Sequence, residues 1–526
     1  MGWLQGKAPT EEVDGRSSHL LPAVDMASLN GKPPARTPSF PERYGDPSTN
    51  PTPQAWGPPT TYATKSDKIV CVTVGLPARG KSYIARRLSQ YIQFFYGAPT
   101  KVFNVGDYRR KTAGTSFQPA DFFDVNNEEG MSRRREATES AINDLIHWMA
   151  EVAPHRVDAS SELFLSGDFG AVAIFDATNS TSERREWLLG RLKPTGAKVI
   201  FIESVCSDPE IIRDNIERSK VAPDTTKDYD GVDTAAATAD FYERIRKYEQ
   251  VYEPLGGTEP EKQYNFIKIV DGGREVSLNN IRGFLPSRIA QFLVNLHTHR
   301  RSFFFSRHGQ SQYNRLSKIG GDSDLTEHGE AYALALGDWA VENVMKDETG
   351  QTVPARLWTS SLLRTRRTAR HIPHPSVPYA PGEEPTWVQM RPKAFRNLDE
   401  IYAGVCDGMT YEEIKEKMPE EAKARKASKF LYRYPRGESY TDLIARLEPL
   451  AHELERLREP VLIVAHQAIL RVLYAYFMGF PREECINVSI PLNTVIQLTP
   501  CVTGCEEKRT VVLQPPAGEQ LDPASH

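Results

Sequence analysis

Two short stretches of this chain carry the residue types that handle a phosphoryl group. In "GLPARGKS", Gly75, Gly80, Lys81 and Ser82 fall in the spacing G-x-x-x-x-G-K-[ST]. Glycines there let backbone N–H groups turn toward phosphate oxygens. A lysine at this position reaches β- and γ-phosphates, and the hydroxyl after it suits Mg2+ at the positive end of a helix. The second stretch, "SRHGQS", puts Arg307 and His308 at the end of the apolar run "SFFF". A neutral imidazole nitrogen can attack phosphorus while arginines neutralise the phosphoryl oxygens. An RHG tripeptide alone also fits a structural histidine at a strand end.

Each stretch needs partners. Asp176 closes the apolar run in "AVAIFDATNS". A lone aspartate there reads as a cap or turn residue, but beside a phosphate loop it suits a Mg2+-bound carboxylate. Basic clusters follow: Arg109 and Arg110 in "GDYRRK", Arg133, Arg134 and Arg135 in "SRRRE", and Arg184 and Arg185 in "TSERRE". Several lie near the C-terminal ends of predicted strands, where an anionic acceptor would bind. The residues thus point to an ATP-dependent phosphotransferase with an acidic small-molecule acceptor. For the second site, "LWTSSLLRT" offers Arg364, "RNLDEIYAG" offers Glu400 and "VLIVAHQA" offers His466. A carboxyl group can protonate a leaving alcohol, and a second histidine can bind the phosphoryl group in flight.

These residues require scaffolds that end strands at them. "KIVCVTVG", "KVFNV", "AVAIFDAT", "KVIFIESVC" and "FIKIVD" are short β-branched runs. Helical patterns alternate with them over 81–97 and in "MSRRREATESAINDLIHWMAE", "DPEIIRDNIERS" and "ADFYERIRKYEQVYE". Alternation of this kind predicts a parallel, doubly wound α/β sheet. "SRIAQFLVNLHTH" reads as a linker helix before a second α/β series. That series has strands "SFFFSRHG", "ARLWTSS", "VLIVAH" and "TVIQLTP" and helices over 325–343, 439–457 and 467–479. Residues 153–168 read as a loop insertion and 219–237 as a polar loop. The expected domains are a disordered arm at 1–64, a P-loop domain at 65–298, a histidine-phosphatase domain at 299–515 and a flexible tail at 516–526. The arm is rich in Pro, Ser, Thr and Gly, and Thr37 and Ser39 in "RTPS" are its candidate phosphorylation sites.

Composition bounds the setting. Among 526 residues, 65 Lys+Arg against 69 Asp+Glu give a net charge of −4, so bulk charge implies no nucleic-acid or anionic-membrane partner. The apolar runs are shorter than a bilayer crossing, and the start lacks the pattern of a secretory signal. Cys71, Cys206, Cys406, Cys485, Cys501 and Cys505 form no CxxC pair, which fits reduced thiols in a cytoplasmic protein.

In the order of its two sites, and in "FNVGDYRR", "IFDATNSTSERR", "IESVCSDPEII", "IGGDS", "GVCDGMTYEEI" and "YRYPRGESY", the chain resembles the bifunctional 6-phosphofructo-2-kinase/fructose-2,6-bisphosphatase family from about 65 to 515. The resemblance implies ATP with Mg2+ in the first half, no cofactor in the second, and a homodimer. The implied substrates are fructose 6-phosphate and fructose 2,6-bisphosphate. It implies that Gly75, Leu76, Pro77, Ala78, Arg79, Gly80, Lys81, Ser82 and Tyr83 bind ATP, with Asn215 and Lys220 on the nucleotide side. Asp176 would be a catalytic aspartate and Cys206 an active-site cysteine, with Lys220 also facing the sugar phosphate. Arg109, Arg134, Thr178, Arg184, Arg244 and Tyr248 match contacts to fructose 6-phosphate. In the second half Arg307 and His308 carry the phosphohistidine step, Glu400 donates the proton, and Arg364 and His466 complete the pocket. Asn314, Gly320, Tyr411, Arg425, Lys429, Tyr440, Gln467 and Arg471 match positions that hold the bisphosphate sugar. Three departures, Gln310, Lys318 and Tyr402, raise the expectation of an altered phosphatase, and "ERSKVAPDTTKDY" is longer than the family's usual loop. A kinase with a scaffold-only second half, or a mutase-like activity, are the competing readings, and the retained His308, Arg364, Glu400 and His466 argue against the scaffold.

Overall fold

Apolar residues alternate their side-chain direction along each strand, and the core follows that period of two. In β1 (Lys68–Val74), Ile69 and Cys71 join one apolar cluster, while Val70, Val72 and Val74 join another on the opposite face. The computed structural model describes residues 68–113, 118–152, 170–217, 221, 227–229, 231–297, 299–380, 382–501 and 504–515. The N-terminal arm with Thr37 and Ser39, the 153–168 segment, Lys220 and the tail from 516 lie outside the described residues.

β1 is flanked by β3 (Ala171–Asp176) and β4 (Lys198–Val205), and the six-stranded sheet runs in the order β2-β3-β1-β4-β5-β6. β2 is Thr100–Asn104, β5 Phe266–Val270 and β6 Glu275–Asn279. All neighbours are parallel except β6, an antiparallel edge strand that no apolar run announced. Three helices bracket the first site: α1 (Lys81–Tyr91), which continues as a π-helical turn over Ile92–Tyr96, α2 (Val105–Ala113) and α3 (Glu128–Glu151). After β3 come α4 (Ser182–Leu192), α5 (Pro209–Ile216) and α6 (Thr234–Glu249). Asp233 caps α6 through its side chain, so the predicted loop over 219–237 ends in helix, after a 3-10 turn at Lys227–Tyr229.

The second sheet has the order β11-β8-β12-β7-β13-β14. Its strands are β7 (Phe303–Arg307), β8 (Arg356–Thr359), β11 (Pro392–Ala394), β12 (Val461–Ala465), β13 (Thr494–Cys501) and β14 (Gly504–Val511), and a small hairpin joins β9 (Ser376–Val377) to β10 (Trp387–Val388). The β11-β8-β12-β7 part is parallel, and β13 and β14 are antiparallel. Sequence reading missed β11 and β14 because both are exposed and polar along most of their length.

Where two self-contained cores were expected, one apolar cluster runs through both halves. Ile69, Cys71, Val172 and Ile174 of the first sheet share it with Phe303, Phe305, Val461 and Ile463 of the second. Helix α7 (Phe284–Asn295), predicted as a linker, is its spine: Leu285, Ile289, Phe292 and Leu293 are buried, and Phe292 stacks on Tyr91 at 4.3 Å. The facing helices are Tyr440–Arg456 and Gln467–Met478. Charges are buried in this seam as well. Arg87 of the first half and Arg301 both pair with Glu455, which also accepts from the Tyr476 hydroxyl at 2.8 Å. Among the described residues no helix is long and apolar enough to cross a membrane, and all six cysteines are free.

Candidate active sites

The first site forms where β1 and β3 end side by side. Their register sets Val72 against Phe175, which brings Thr73 beside Asp176. The Thr73 hydroxyl donates to Asp176 Oδ1 at 3.2 Å, and the Asn104 amide, one strand further, donates to Oδ2. The Gly75 N–H donates to the Thr178 carbonyl at 3.0 Å, and the Asn179 amide to the Thr73 carbonyl at 2.7 Å. The loop is therefore tied to the end of β3 before any ligand arrives.

Its two glycines serve different ends. Gly75 has φ 135°, and a Cβ there would lie 2.4 Å from the Ser204 carbonyl oxygen, so close packing on β4 requires glycine. Gly80, at φ 81°, opens onto free space where a phosphate can approach the backbone. Leu76, Pro77, Ala78 and Arg79 complete the turn, and the Leu76 carbonyl accepts from Lys81 Nζ at 2.5 Å. The Asn215 amide donates to the Ala78 carbonyl at 3.1 Å, so this residue braces the loop from behind. Ser82 is half-buried at the start of α1, but Tyr83 turns into the shared core and donates to the His297 carbonyl. Its side chain thus departs from the expected nucleotide contact.

Asp176 is 3% exposed, takes its hydrogen bonds from neutral donors, and has no cationic partner among the described residues. A buried carboxylate in that state fits a divalent cation. Cys206 directly follows β4, close to the Arg79 guanidinium; burial raises its thiol above the ordinary value, which leaves it protonated.

The basic clusters sort into distinct roles. Arg133 and Arg135 are solvated helix residues paired with Glu129 and Glu139. Arg185 is fully buried against Glu261 and is structural. Of these two clusters, only Arg134 and Arg184 match the family's sugar-phosphate contacts, and their neighbours are held in these other pairs. Arg109, Arg244 and Tyr248 gather around Phe123, with the Arg244 guanidinium 3.7 Å and that of Arg109 5.2 Å from its ring. Arg134 reaches the same place by donating to the Phe123 and Asp124 carbonyls. Arg109, Arg110 and Arg244 all approach Asp228, which sequence reading did not single out. Burial pushes the Asp228 carboxyl up, but the three guanidinium groups outweigh it and hold it at about 2. Arg184 lies over Trp187 and makes no ion pair among the described residues; burial lowers it to about 10. Helix α6 joins this cluster to the loop, since Glu249, next to Tyr248, pairs with Arg79 at 3.7 Å.

The second site lies at the ends of β7, β8 and β12. His308 is 4% exposed, and its Nδ1 bonds the Gly309 carbonyl at 2.8 Å, which leaves Nε2 as the lone-pair nitrogen. Burial lowers its pKa well below the ordinary value, and the Arg364 and Arg307 charges add to this, so the ring is neutral and nucleophilic. His466 lies beside it, with ring centroids 5.2 Å apart, and is held neutral by burial and Arg364. Its Nε2 meets Ser360 Oγ at 2.7 Å, while Nδ1 is buried with no partner among the described residues. If Ser360 donates to Nε2, the Nδ1 proton is available to a phosphoryl oxygen.

A cavity of about 120 Å³ opens in front of His308. Of the residues expected in this half, Arg307, His308, Asn314, Gly320, Arg364, Glu400, Tyr411, Arg425, Lys429, Tyr440, Gln467 and Arg471 all line it, and only His466 sits behind. Gly320 is required at its rim: at φ 68°, a Cβ would lie 1.7 Å from Asp407 Oδ1. Arg425 is fixed by the Tyr434 and Tyr411 hydroxyls at 3.0 Å each. Burial, then the Arg471 and Arg425 charges, bring Lys429 down to about 8.

Comparison with known proteins agrees with this pairing of sites. The family model for 6-phosphofructo-2-kinase matches residues 58–300, and that for the histidine phosphatase superfamily (branch 1) matches 303–511. The rat protein named 6-phosphofructo-2-kinase/fructose-2,6-bisphosphatase 3 is 40% identical over 453 residues, 86% of this chain and 73% of its own. The chain belongs to this bifunctional kinase/phosphatase family. A Saccharomyces cerevisiae relative, named fructose-2,6-bisphosphatase, is 41% identical over 85% of this chain and 89% of its own. An Arabidopsis thaliana relative is 42% identical over 85% of this chain, which spans only 54% of that protein's length.

Against the family pattern, the three departures do not weigh equally. Gln310 is buried outside the cavity, where its Oε1 accepts from the Thr326 hydroxyl at 2.8 Å. Tyr402 is 53% exposed and also outside it. Only Lys318 lines the cavity, with its ammonium 5.7 Å from the Tyr313 ring. Sequence reading did not single out Tyr313, Tyr432 and Tyr434, which also line the cavity; the last two lie inside the matching stretch "YRYPRGESY", and Tyr313 is next to the matched Asn314.

Proposed function

We propose that this enzyme of the kinase/phosphatase family makes fructose 2,6-bisphosphate from fructose 6-phosphate and ATP, and hydrolyses it back through a phosphohistidine on His308. The observation that carries the reading is the cavity that joins a neutral, buried His308 to Glu400 and to six basic side chains, Arg307, Lys318, Arg364, Arg425, Lys429 and Arg471. His308 Nε2 attacks the 2-phosphorus and the bond to the sugar oxygen breaks. Glu400 gives that oxygen its proton. Water then attacks phosphorus, the P–N bond breaks, and the Glu400 carboxylate takes the water proton as phosphate leaves. Nucleophile, charge neutralisation and acid all come from side chains, so we assign no cofactor to this half.

In the kinase half, Lys81 stabilises charge on the transferring phosphoryl group, and Arg109, Arg134, Arg184, Arg244, Thr178 and Tyr248 hold the sugar phosphate. Ser82 and Asp176 would hold the Mg2+ that neutralises the β- and γ-phosphate oxygens when bound. We place the boundary between the halves at 298/299. A cytoplasmic homodimer is the proposed setting, supported by the free thiols and the family resemblance. The yeast relative's name carries only the phosphatase activity, and a phosphatase alone is the second reading. Lys81, Asp176 and the tied loop favour both activities.

The test uses substrate labelled at the 2-phosphate, quenched in alkali. A phosphoramidate on imidazole survives alkali and is lost in acid. Label should form on the wild-type chain, vanish in His308→Ala and form slowly in Glu400→Gln. Acid-stable label, or label persisting in His308→Ala, would overturn the mechanism. Bisphosphate synthesis from fructose 6-phosphate and ATP by the same preparation separates the two readings.

A further inference from the structure

Glu400 sits on an irregular segment, where nothing in local secondary structure fixes the direction of its carboxyl group. After the 3-10 turn at Arg396–Leu398 the chain runs without helix or strand to Gly404. One side chain grips this segment along its length. Arg446 Nη1 donates to the Asn397 carbonyl at 2.7 Å and the Arg396 carbonyl at 3.4 Å. Its Nη2 donates to the carbonyls of Asp399 at 2.8 Å and of Glu400 itself at 3.3 Å. The Asn397 amide returns a bond to the Arg446 carbonyl at 2.6 Å.

The guanidinium is held in turn by Glu438, at 2.9 Å from Nε and 3.0 Å from Nη2. Glu438 also accepts from the Tyr402 N–H at 3.0 Å, and its own N–H donates to the Tyr402 carbonyl at 2.9 Å. Glu400 is thus bracketed, with Arg446 on the carbonyls up to it and Glu438 on the amide two residues beyond. The far end of the clasp is rigid, because Arg446 projects from the helix Tyr440–Arg456, whose Leu443, Ile444 and Leu447 are core residues. The Glu400 side chain itself accepts from the Ile401 N–H at 2.9 Å, so its carboxyl follows the backbone that Arg446 sets.

We propose that Arg446, braced by Glu438, is the positioning residue that aims the Glu400 carboxyl at the leaving oxygen. This rests on the reading of Glu400 as the proton donor. A planar fork with donors on three nitrogens can span four carbonyls and a carboxylate; a lysine ammonium, with three donors at one point, cannot. The side chain lines no part of the cavity, so it touches no substrate; its hydrogen bonds reach the site through Glu400, and its charge also bears on His466, an effect both phosphoryl donors would share.

The test compares Arg446→Met, Arg446→Lys, Glu438→Gln and Glu400→Gln in the full chain, with kinase activity as the control for folding. Single-turnover label transfer to His308 is measured from fructose 2,6-bisphosphate and from an aryl phosphate, whose leaving oxygen needs no proton. Binding of the bisphosphate is measured in the His308→Ala background. General acids contribute about 10²-fold or more. Arg446→Met should slow transfer from the sugar phosphate by about 10²-fold, Arg446→Lys should restore little, and Glu438→Gln should fall between them and wild type. Transfer from the aryl phosphate, binding of the bisphosphate and kinase activity should stay near wild type. Equal slowing with both donors, or a loss of binding that matches the loss of rate, overturns the positioning role. Should Arg446→Met unfold the chain, Glu438→Gln carries the same comparison. If Glu400→Gln itself fails to discriminate the two donors, the reading of Glu400 is what has failed.

Discussion

Replacing Glu455 by Gln probes the seam that holds the two catalytic halves together. The Glu455 side chain is 1% exposed, and its partners Arg87 and Arg301 are 7% and 1% exposed. The substitution keeps shape and an acceptor for the Tyr476 hydroxyl but removes the only carboxylate that pairs with either arginine among the described residues. Breaking a buried pair from one side costs about 3–5 kcal/mol, because the charges left behind stay desolvated. The comparison is Glu453→Gln, which loses only the exposed pair with Arg456 and should cost about 0–1 kcal/mol. Chemical denaturation followed by both activities gives the readout. Glu455→Gln should lower the midpoints for synthesis and hydrolysis together, since one apolar cluster serves both sheets. Burial pushes the Glu455 carboxyl up, but Arg87 and Arg301 outweigh it and hold it below the ordinary 4.5. Its contribution is therefore complete above the unfolded value and lost as pH falls through the lower folded one. Wild type and variant should converge in acid. A cost below about 1 kcal/mol, or a shift in one activity alone, would refute the shared seam.

Lys81→Met should lower bisphosphate synthesis by about 10²-fold or more and leave hydrolysis near wild type, with steady-state assays of both on one preparation as the check; a parallel fall would mean the sites are not independent. Lys429, at about 8 in the free enzyme, should make KM for fructose 2,6-bisphosphate rise as pH increases through that value, because the deprotonated amine no longer attracts the phosphates. Lys429→Arg should remove the inflection, and an unchanged profile would show that another group governs it.

Both phosphoryl sites were legible because their chemistry is local. A turn that exposes backbone amides needs its glycines at fixed spacing, and a nucleophilic histidine at a strand end needs the apolar run before it. The strands that carry them are buried on both faces and so read as continuous apolar runs. The polar edge strands β6, β11 and β14 have no such signature, and they were missed. What only the tertiary structure decided was how equivalent-looking residues divide. Arg133, Arg134 and Arg135 are consecutive letters, yet helical geometry sends Arg134 to the Phe123 carbonyl and leaves its neighbours paired with glutamates on the surface. Arg184 and Arg185 part the same way, one lying over the Trp187 ring and one in a buried pair with Glu261. Asp228 and Arg446 had no motif to mark them, since their partners lie up to 119 residues away in sequence, and Glu438, though inside "YRYPRGESY", carried no sign there that it would brace Arg446. Spacing along the chain fixes which atoms a turn presents, but whether a charge meets water, a carboxylate or a carbonyl depends on the elements packed against it.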